Sequence, residues 1–198
     1  MQVIGGEAQG KRLYSAPGKT TRSITARVKK SLFDILADEI PDCHFLDLFA
    51  GAGGVGIEAL SRGADACVFV ERNSHAIATI RRNLQTTGLG ARASVVRGDV
   101  FHYISQQLAT AFDIIYIAPP QYRGLWAETL LALDCSSLLR NNGIAIAQIF
   151  PKEYQPLELG SLEMYDQRRY GSTLLCFYTS AAPPQATSDQ LEAEARID

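Results

Sequence analysis

The stretch HFLDLFAGAGGVGIEALSRGA, His44 to Ala64, decides the fold. Residues 44–49 are strand-like and, past His44, apolar except for Asp47. Gly51, Gly53, Gly54 and Gly56 follow, and Ile57, Leu60 and Ala64 then recur at helical spacing. A strand feeding a glycine-rich turn that opens a helix is a cradle for a nucleotide. Glycines let the backbone approach the ligand, and the first helical turn offers unpaired N–H groups. Gly51 to Gly56 satisfies the G-x-G-x-x-G pattern, and Glu71 lies where a ribose-binding acid would sit. Two ligands compete for this turn: a nicotinamide or flavin dinucleotide, and S-adenosyl-L-methionine. A tight glycine turn with no ligand is the plainer alternative. Asp47, four residues before the first glycine, weighs between them. A carboxylate there works against a pyrophosphate and suits an α-amino group and a positively charged sulfur.

Working outward, the 198 residues suffice for one domain with a full core, or a domain with a small appendage. Hydrophobic content of 46% and charged content of 20% are ordinary for a globular protein. Cys43, Cys67, Cys135 and Cys176 lie far apart with no C-x-x-C pair, which argues against a zinc site or a disulfide framework and for a reducing cytoplasm. No apolar run is long enough to span a membrane, and the N-terminus lacks the apolar core of a secretory signal. Charge is unevenly spread. Residues 1–30 carry seven basic side chains against the single acid Glu7, within a chain of net charge −2. A basic segment on an acidic body suits a polyanionic partner, although lysines kept for solubility would read the same way.

Before the opening stretch, residues 1–22 mix short β-prone pieces with Gly-Gly, Gly-Lys and Pro-Gly breakers, which predicts a small hairpin or an extended arm. Ser23 or Thr25 can cap a helix running to about Glu39, with Ile24, Val28, Leu32, Ile35 and Leu36 as its apolar stripe. Arg27, Lys29 and Lys30 lie off that stripe and are expected to face phosphates. After it, strands are predicted over 66–71, 91–97, 112–117 and 143–150. Helices are predicted over 74–86, about 100–109 and 124–133, with a short helical piece near 136–140. Residues 161–169 and 172–179 read as a hairpin turning at Tyr170-Gly171, and residues 181–198 as a disordered acidic tail. Strand–helix alternation of this kind makes an open, mostly parallel α/β sheet, to which a terminal hairpin adds an antiparallel edge.

Ligands bind outside the carboxyl ends of strands in such sheets. Here the strand ends carry Asp47 with the glycine turn, Glu71, Asp99, and Ala118-Pro119-Pro120. Glu71 can accept from both hydroxyls of a ribose, and Asp99 from an exocyclic amine. Each acid alone is as easily a helix cap. Three at successive strand ends make a binding site the better account. No downstream His or Lys offers a hydride enzyme its acid or base.

At this point the chain resembles the class I S-adenosylmethionine-dependent methyltransferases. More narrowly, it resembles the RsmD-type 16S ribosomal RNA guanine-N2 methyltransferases. The residues that carry the resemblance are Ile4-Gly5-Gly6, Gly10-Lys11-Arg12-Leu13, Arg22, Thr25, Arg27-Val28, Leu46 to Gly53, Gly56 to Gly63, Val70-Glu71, Asn83-Leu84, Asp99 and Pro119-Pro120 with Arg123-Gly124. The resemblance implies a Rossmann-like fold with a seven-stranded sheet, a reversed last hairpin, and a small basic N-terminal arm or hairpin. It implies an RNA-contacting arm over 1–22 and a methyltransferase domain over 23–180, ahead of the tail. The cofactor S-adenosyl-L-methionine would lie on Asp47, Phe49, Gly51, Gly53, Glu71, Arg72, Asp99 and Val100. RNA would meet Lys11, Arg12, Arg22, Arg27, Lys29 and Arg123. The implied protein is a metal-free cytoplasmic monomer acting on ribosomal RNA or a small-subunit ribosomal particle.

One motif departs from the family. Its catalytic tetrapeptide is Asn or Asp, Pro, Pro, then an aromatic, whereas here it reads Ala118-Pro119-Pro120-Gln121 with Tyr122 one place late. An exocyclic guanine amine has its lone pair delocalised into the ring. In the family, an acid or amide and a backbone carbonyl accept its hydrogens, and the aromatic stacks on the flipped base. Ala118 has no acceptor. Three alternatives follow: the Pro119 carbonyl and Gln121 substitute while Tyr122 stacks; the target atom differs; or the protein binds RNA and S-adenosylmethionine without methylating.

Overall fold

The structure is a computed structural model that describes residues 1–16, 24–106 and 111–180. Among these residues, seven strands form one sheet in the order β3-β2-β1-β4-β5-β7-β6. These are β1 (His44–Leu48), β2 (Ala66–Glu71), β3 (Ala93–Arg97), β4 (Phe112–Ile117), β5 (Leu139–Ile149), β6 (Leu162–Tyr170) and β7 (Thr173–Ser180). The first five are parallel, while β7 runs antiparallel to both β5 and β6. The predicted Rossmann-like sheet and its reversed last hairpin are therefore both present.

The sheet is covered on both sides, which explains the nearly unbroken apolar run of β4. On one face Phe45, Phe69, Ile114, Tyr116, Ile146 and Phe177 pack against α1 (Ala26–Ile35), α2 (Gly56–Ser61) and α3 (Ser74–Thr87). On the other, Leu46, Val70, Ile115, Ile117 and Ala147 pack against α4 (Val100–Ser105) and α5 (Leu125–Asp134). From β1 the chain winds outward to β2 and β3, then returns beside β1 as β4 and winds the other way. The strand order reverses between β1 and β4, and a crevice opens there at their carboxyl ends.

Residues 1–13 form the hairpin alternative rather than an extended arm. Val3 N–H donates to Lys11 O (3.0 Å) and Gly10 N–H to Val3 O (2.9 Å), with Gln2 bridged to Arg12. Val3, Ala8 and Leu13 join the core. The hairpin is fastened to α2 by Glu58, whose carboxylate is fully buried. Glu58 accepts from Ile4 N–H (3.0 Å) and Gly5 N–H (2.8 Å) and pairs with Lys29 (2.7 Å) and Arg62 (3.0 Å). Gly6 is required at this contact: its φ is +77°, and a Cβ there would lie 1.7 Å from Ser61 O.

Three expectations are corrected. Lys29 does not face phosphates: it is 3% exposed, and its ammonium lies between Glu58 and Gln2 O (2.8 Å). A buried lysine of this kind needs both partners, so its position is set by Glu58. The helical piece near 136–140 is instead a short turn, and β5 starts at Leu139. Phe112 N–H donates to Leu138 O (2.7 Å) and Arg140 pairs with Asp113 (2.6 Å), so β4 captures this segment edge-on. Finally, α1 stops at Ile35, short of Glu39.

Candidate functional site

The reversal point holds a cavity of about 500 Å³. Four strand ends build its walls: Phe49 and Gly51 after β1, Val70 to Asn73 at β2, Gly98 to Val100 after β3, and Ala118 to Gln121 after β4. A second cavity of about 170 Å³ adjoins it, and Phe49, Gly51, Ala118 and Gln148 line both. The larger volume lies within the range of small-ligand and cofactor sites, about 300–1,000 Å³.

Glu71 lines the cavity with its carboxylate held by two backbone N–H groups. Its Oε2 accepts from Gly51 N–H (2.9 Å) and its Oε1 from Asn73 N–H (2.8 Å). Each oxygen has a second lone pair, so the carboxylate is fixed in orientation and still able to accept from hydroxyls. Asn73 is also the N-cap of α3, accepting from His75 and Ala76 N–H. Asp99 caps α4 by accepting from Phe101 N–H (2.9 Å), and it lines the cavity as well, so the cap and the site residue are one and the same. Arg72 and Val100 line the same wall.

Asp47 and Gly53 sit differently from their neighbours. The carboxylate of Asp47 is buried and accepts from Gly56 N–H (3.0 Å), which ties the start of α2 to β1. It lines the smaller cavity and not the larger one. Burial pushes its carboxyl up to about 7; the Gly56 N–H opposes this and the nearby Glu71 charge adds to it. Gly53 lines neither cavity. It turns into the core with φ +77°, against Ile57, Ile80 and Phe69.

On the wall after β4, Ala118, Pro119, Pro120, Gln121 and Arg123 line the cavity. Tyr122, between Gln121 and Arg123 in sequence, does not line the cavity; it is 66% exposed, with its N–H donating to Glu153 (2.7 Å) and its ring 5.5 Å from that of Phe150. Phe49 and Tyr122 both take φ of 60°, a left-handed conformation that side-chain-bearing residues rarely hold. Of the two, Phe49 lines the cavity and Tyr122 follows Gln121, which does. Among the residues expected to meet RNA, Arg12 and Arg27 are exposed, and Lys11 donates to Thr86 O and Thr87 O at the end of α3. Arg22 lies outside the described residues.

Sequence reasoning missed Asn73 and Gln148. Asn73 had a signal in its place after Glu71 at a helix start. Gln148 had one as the only polar side chain in the apolar run Ile144 to Phe150. Among the described residues, no cluster of His, Cys, Asp and Glu could hold a metal ion, and no helix is long and apolar enough to cross a membrane.

The family described as "Conserved hypothetical protein 95" matches residues 1–179. The "Putative rRNA methyltransferase YlbH" of Bacillus subtilis is 35% identical over 180 residues, covering 90% of this chain and 98% of that one. The "Ribosomal RNA small subunit methyltransferase D" of Escherichia coli is 28% identical over 189 residues, covering 96% and 94%. Among solved structures, the "Putative methyltransferase yhhF" of Escherichia coli superposes with a TM-score of 0.83 at 28% identity, covering 92% of this chain and 99% of that one.

Proposed function

The chain belongs to the conserved hypothetical protein 95 family, and from that membership and its cavity we propose that it is an S-adenosylmethionine-dependent methyltransferase acting on guanine N2 of small-subunit ribosomal RNA. The observation that carries this is the meeting of Glu71, Asp99 and Ala118-Pro119-Pro120 on one cavity at the reversal point of the sheet. The names of the relatives support the same activity and the same class of RNA.

The residues present fit the cofactor. Glu71 offers a pre-oriented acceptor for ribose hydroxyls, and Asp99 an acceptor for an exocyclic amine. Arg72, Val100, Phe49 and Gly51 complete the enclosure. Held by these residues, S-adenosyl-L-methionine would supply an activated methyl group to the base nitrogen, which would give up one proton to water.

What the chain itself does is orient the nitrogen. The rigid Pro119-Pro120 pair presents the Pro119 carbonyl to accept one N–H of the amine. The second N–H needs a side-chain acceptor, and the cavity wall offers two carboxamides, Gln121 and Gln148. Tyr122, next to Gln121 and Arg123, offers an exposed ring to stack on a flipped base. Arg123 beside it, with Arg12 and Arg27 on the hairpin side, supplies phosphate contacts. Positioning of this kind accounts for a large share of a transfer barrier, up to about 7–11 kcal/mol in well-oriented systems. We take the enzyme to work as a cytoplasmic monomer on the assembling small-subunit particle.

The test is transfer of label from S-adenosylmethionine into undermodified small subunits and into the protein-free RNA, followed by nucleoside analysis. N2-methylguanosine is the expected product. Label in another nucleoside overturns the guanine-N2 assignment. Binding of S-adenosylhomocysteine and RNA with no label in either substrate overturns the enzymatic reading and leaves a binding protein.

A further inference from the structure

We infer that Gln148, held by the Tyr116 hydroxyl, supplies the hydrogen-bond acceptor that Ala118 lacks, and so orients the target amine. This rests on the methyltransfer reading above and adds to it the residue that aims the substrate.

The argument begins with register. β4 and β5 run parallel with Tyr116 opposite Ile146 and Ile117 opposite Ala147. One step further places Ala118 beside Gln148. Alternation along the strands sends Tyr116, Ala118, Ile146 and Gln148 to the same face of the sheet. The space that an acid or amide at 118 would fill is therefore flanked by the Gln148 carboxamide. Both residues line both cavities. The missing side chain and its replacement come from adjacent strands, separated in sequence by thirty positions.

The carboxamide is held in place. Tyr116 Oη donates to Gln148 Oε1 at 2.5 Å. A phenol has one hydrogen, and this one is kept on the oxygen, since burial and the Asp47 charge both raise the Tyr116 hydroxyl well above its ordinary value. Tyr116 is itself buried in the core between β1 and β5, so the donor cannot swing away. Oε1 keeps a second lone pair for an incoming N–H, and Nε2 has no protein partner among the described residues. An amide cannot take up a proton, so the role is orientation only.

Gln121 lacks these features. It lies in the loop between β4 and α5, and no hydrogen bond holds its side chain among the described residues. A positioning group works only when its own rotamer is locked, and Gln148 is locked by Tyr116.

The experiment compares wild type with Gln148→Ala, Gln121→Ala, Tyr116→Phe and the double variant Gln148→Ala/Ala118→Asn. Steady-state methylation of undermodified small subunits gives kcat and KM, and calorimetry gives S-adenosylhomocysteine affinity. Gln148→Ala is expected to lower kcat roughly 10- to 100-fold while affinity for S-adenosylhomocysteine stays within about twofold of wild type. Adding Ala118→Asn, which restores an amide from the neighbouring strand, recovers most of the lost kcat. Tyr116→Phe, which only frees the amide, lowers kcat by less and leaves both KM values in place. An active wild type with Gln148→Ala at wild-type kcat overturns this inference alone, and a loss confined to Gln121→Ala does the same. A parallel collapse of kcat and S-adenosylhomocysteine affinity in Gln148→Ala assigns Gln148 to cavity shape and also overturns it. A wild type that labels no RNA removes the methyltransfer reading together with this one.

Discussion

Replacing Lys29 with Met removes one partner from a buried charge cluster and leaves the side-chain volume nearly unchanged. Lys29 is 3% exposed and Glu58 fully buried, their charged atoms 2.7 Å apart. Breaking a buried pair by deleting one partner destabilises by about 3–5 kcal/mol, because the remaining charge is left in a poor medium. Glu58 keeps Arg62 at 3.0 Å and the Ile4 and Gly5 N–H groups, so the lower end applies, about 3 kcal/mol. For a chain of this size that is a fall of about 6–12 °C in melting temperature. The loss should fall first on the hairpin of residues 1–13, which hangs on Glu58. Urea denaturation of the full chain measures the total, and amide exchange at Val3 and Gly10 measures the hairpin. The double variant Lys29→Met/Glu58→Leu removes both charges and should recover part of the loss, giving a coupling energy for the pair. In parallel, the salt dependence of RNA binding separates structure from contact. Each phosphate contact contributes about 0.7–0.9 to the slope of log affinity against log salt. Arg27→Ala should lower that slope by about one contact, and Lys29→Met should leave it alone. A Lys29→Met protein with wild-type stability and a reduced slope would refute the buried role and return Lys29 to the RNA surface.

Two further outcomes follow from the site. The Asp47 carboxyl titrates at about 7 in the folded chain, against about 3.9 in an unfolded one. Below about pH 4 both states are protonated; between there and pH 7 only the unfolded state ionises, so stability from this group falls as pH rises and levels off above 7, a change of order 4 kcal/mol. Asp47→Asn abolishes this titration, so its urea midpoint should gain on wild type from pH 4.5 to pH 7.5; a constant gap across that range would show that Asp47 ionises normally. Glu71→Ala removes the acceptor that fixes Gly51 and Asn73 N–H and faces the cavity. It should weaken S-adenosylhomocysteine by roughly 10- to 100-fold, the worth of one or two charge-assisted hydrogen bonds; calorimetric affinity within twofold of wild type would remove Glu71 from the site.

The sheet, its alternating helices and the reversed hairpin were legible because their signals are local. A run such as Phe112 to Ile117 tells its own burial, and a glycine turn after a strand tells where a helix begins. Glu71 and Asp99 were legible for a related reason: a polar residue at the end of an apolar strand has few places to go except the ligand end of the sheet. The misplacements came from partners far along the chain. Lys29 sits off the apolar stripe of α1 and reads as solvent-facing until Glu58, on another helix, claims it. The segment near 136–140 reads as helix until Phe112 pulls it into the sheet.

The amino-acid sequence by itself determined the fold class, the glycine turn and the acids that face the cavity, since each is a matter of residue type and spacing along a few turns of chain, and the gap at Ala118 showed only against the tetrapeptide of the family that the chain resembles. Tertiary structure alone decided what surrounds that gap. The parallel register of β4 and β5 brings Gln148 beside Ala118, and the burial of Tyr116 locks the amide in place, because strand pairing joins residues that spacing along the chain does not relate.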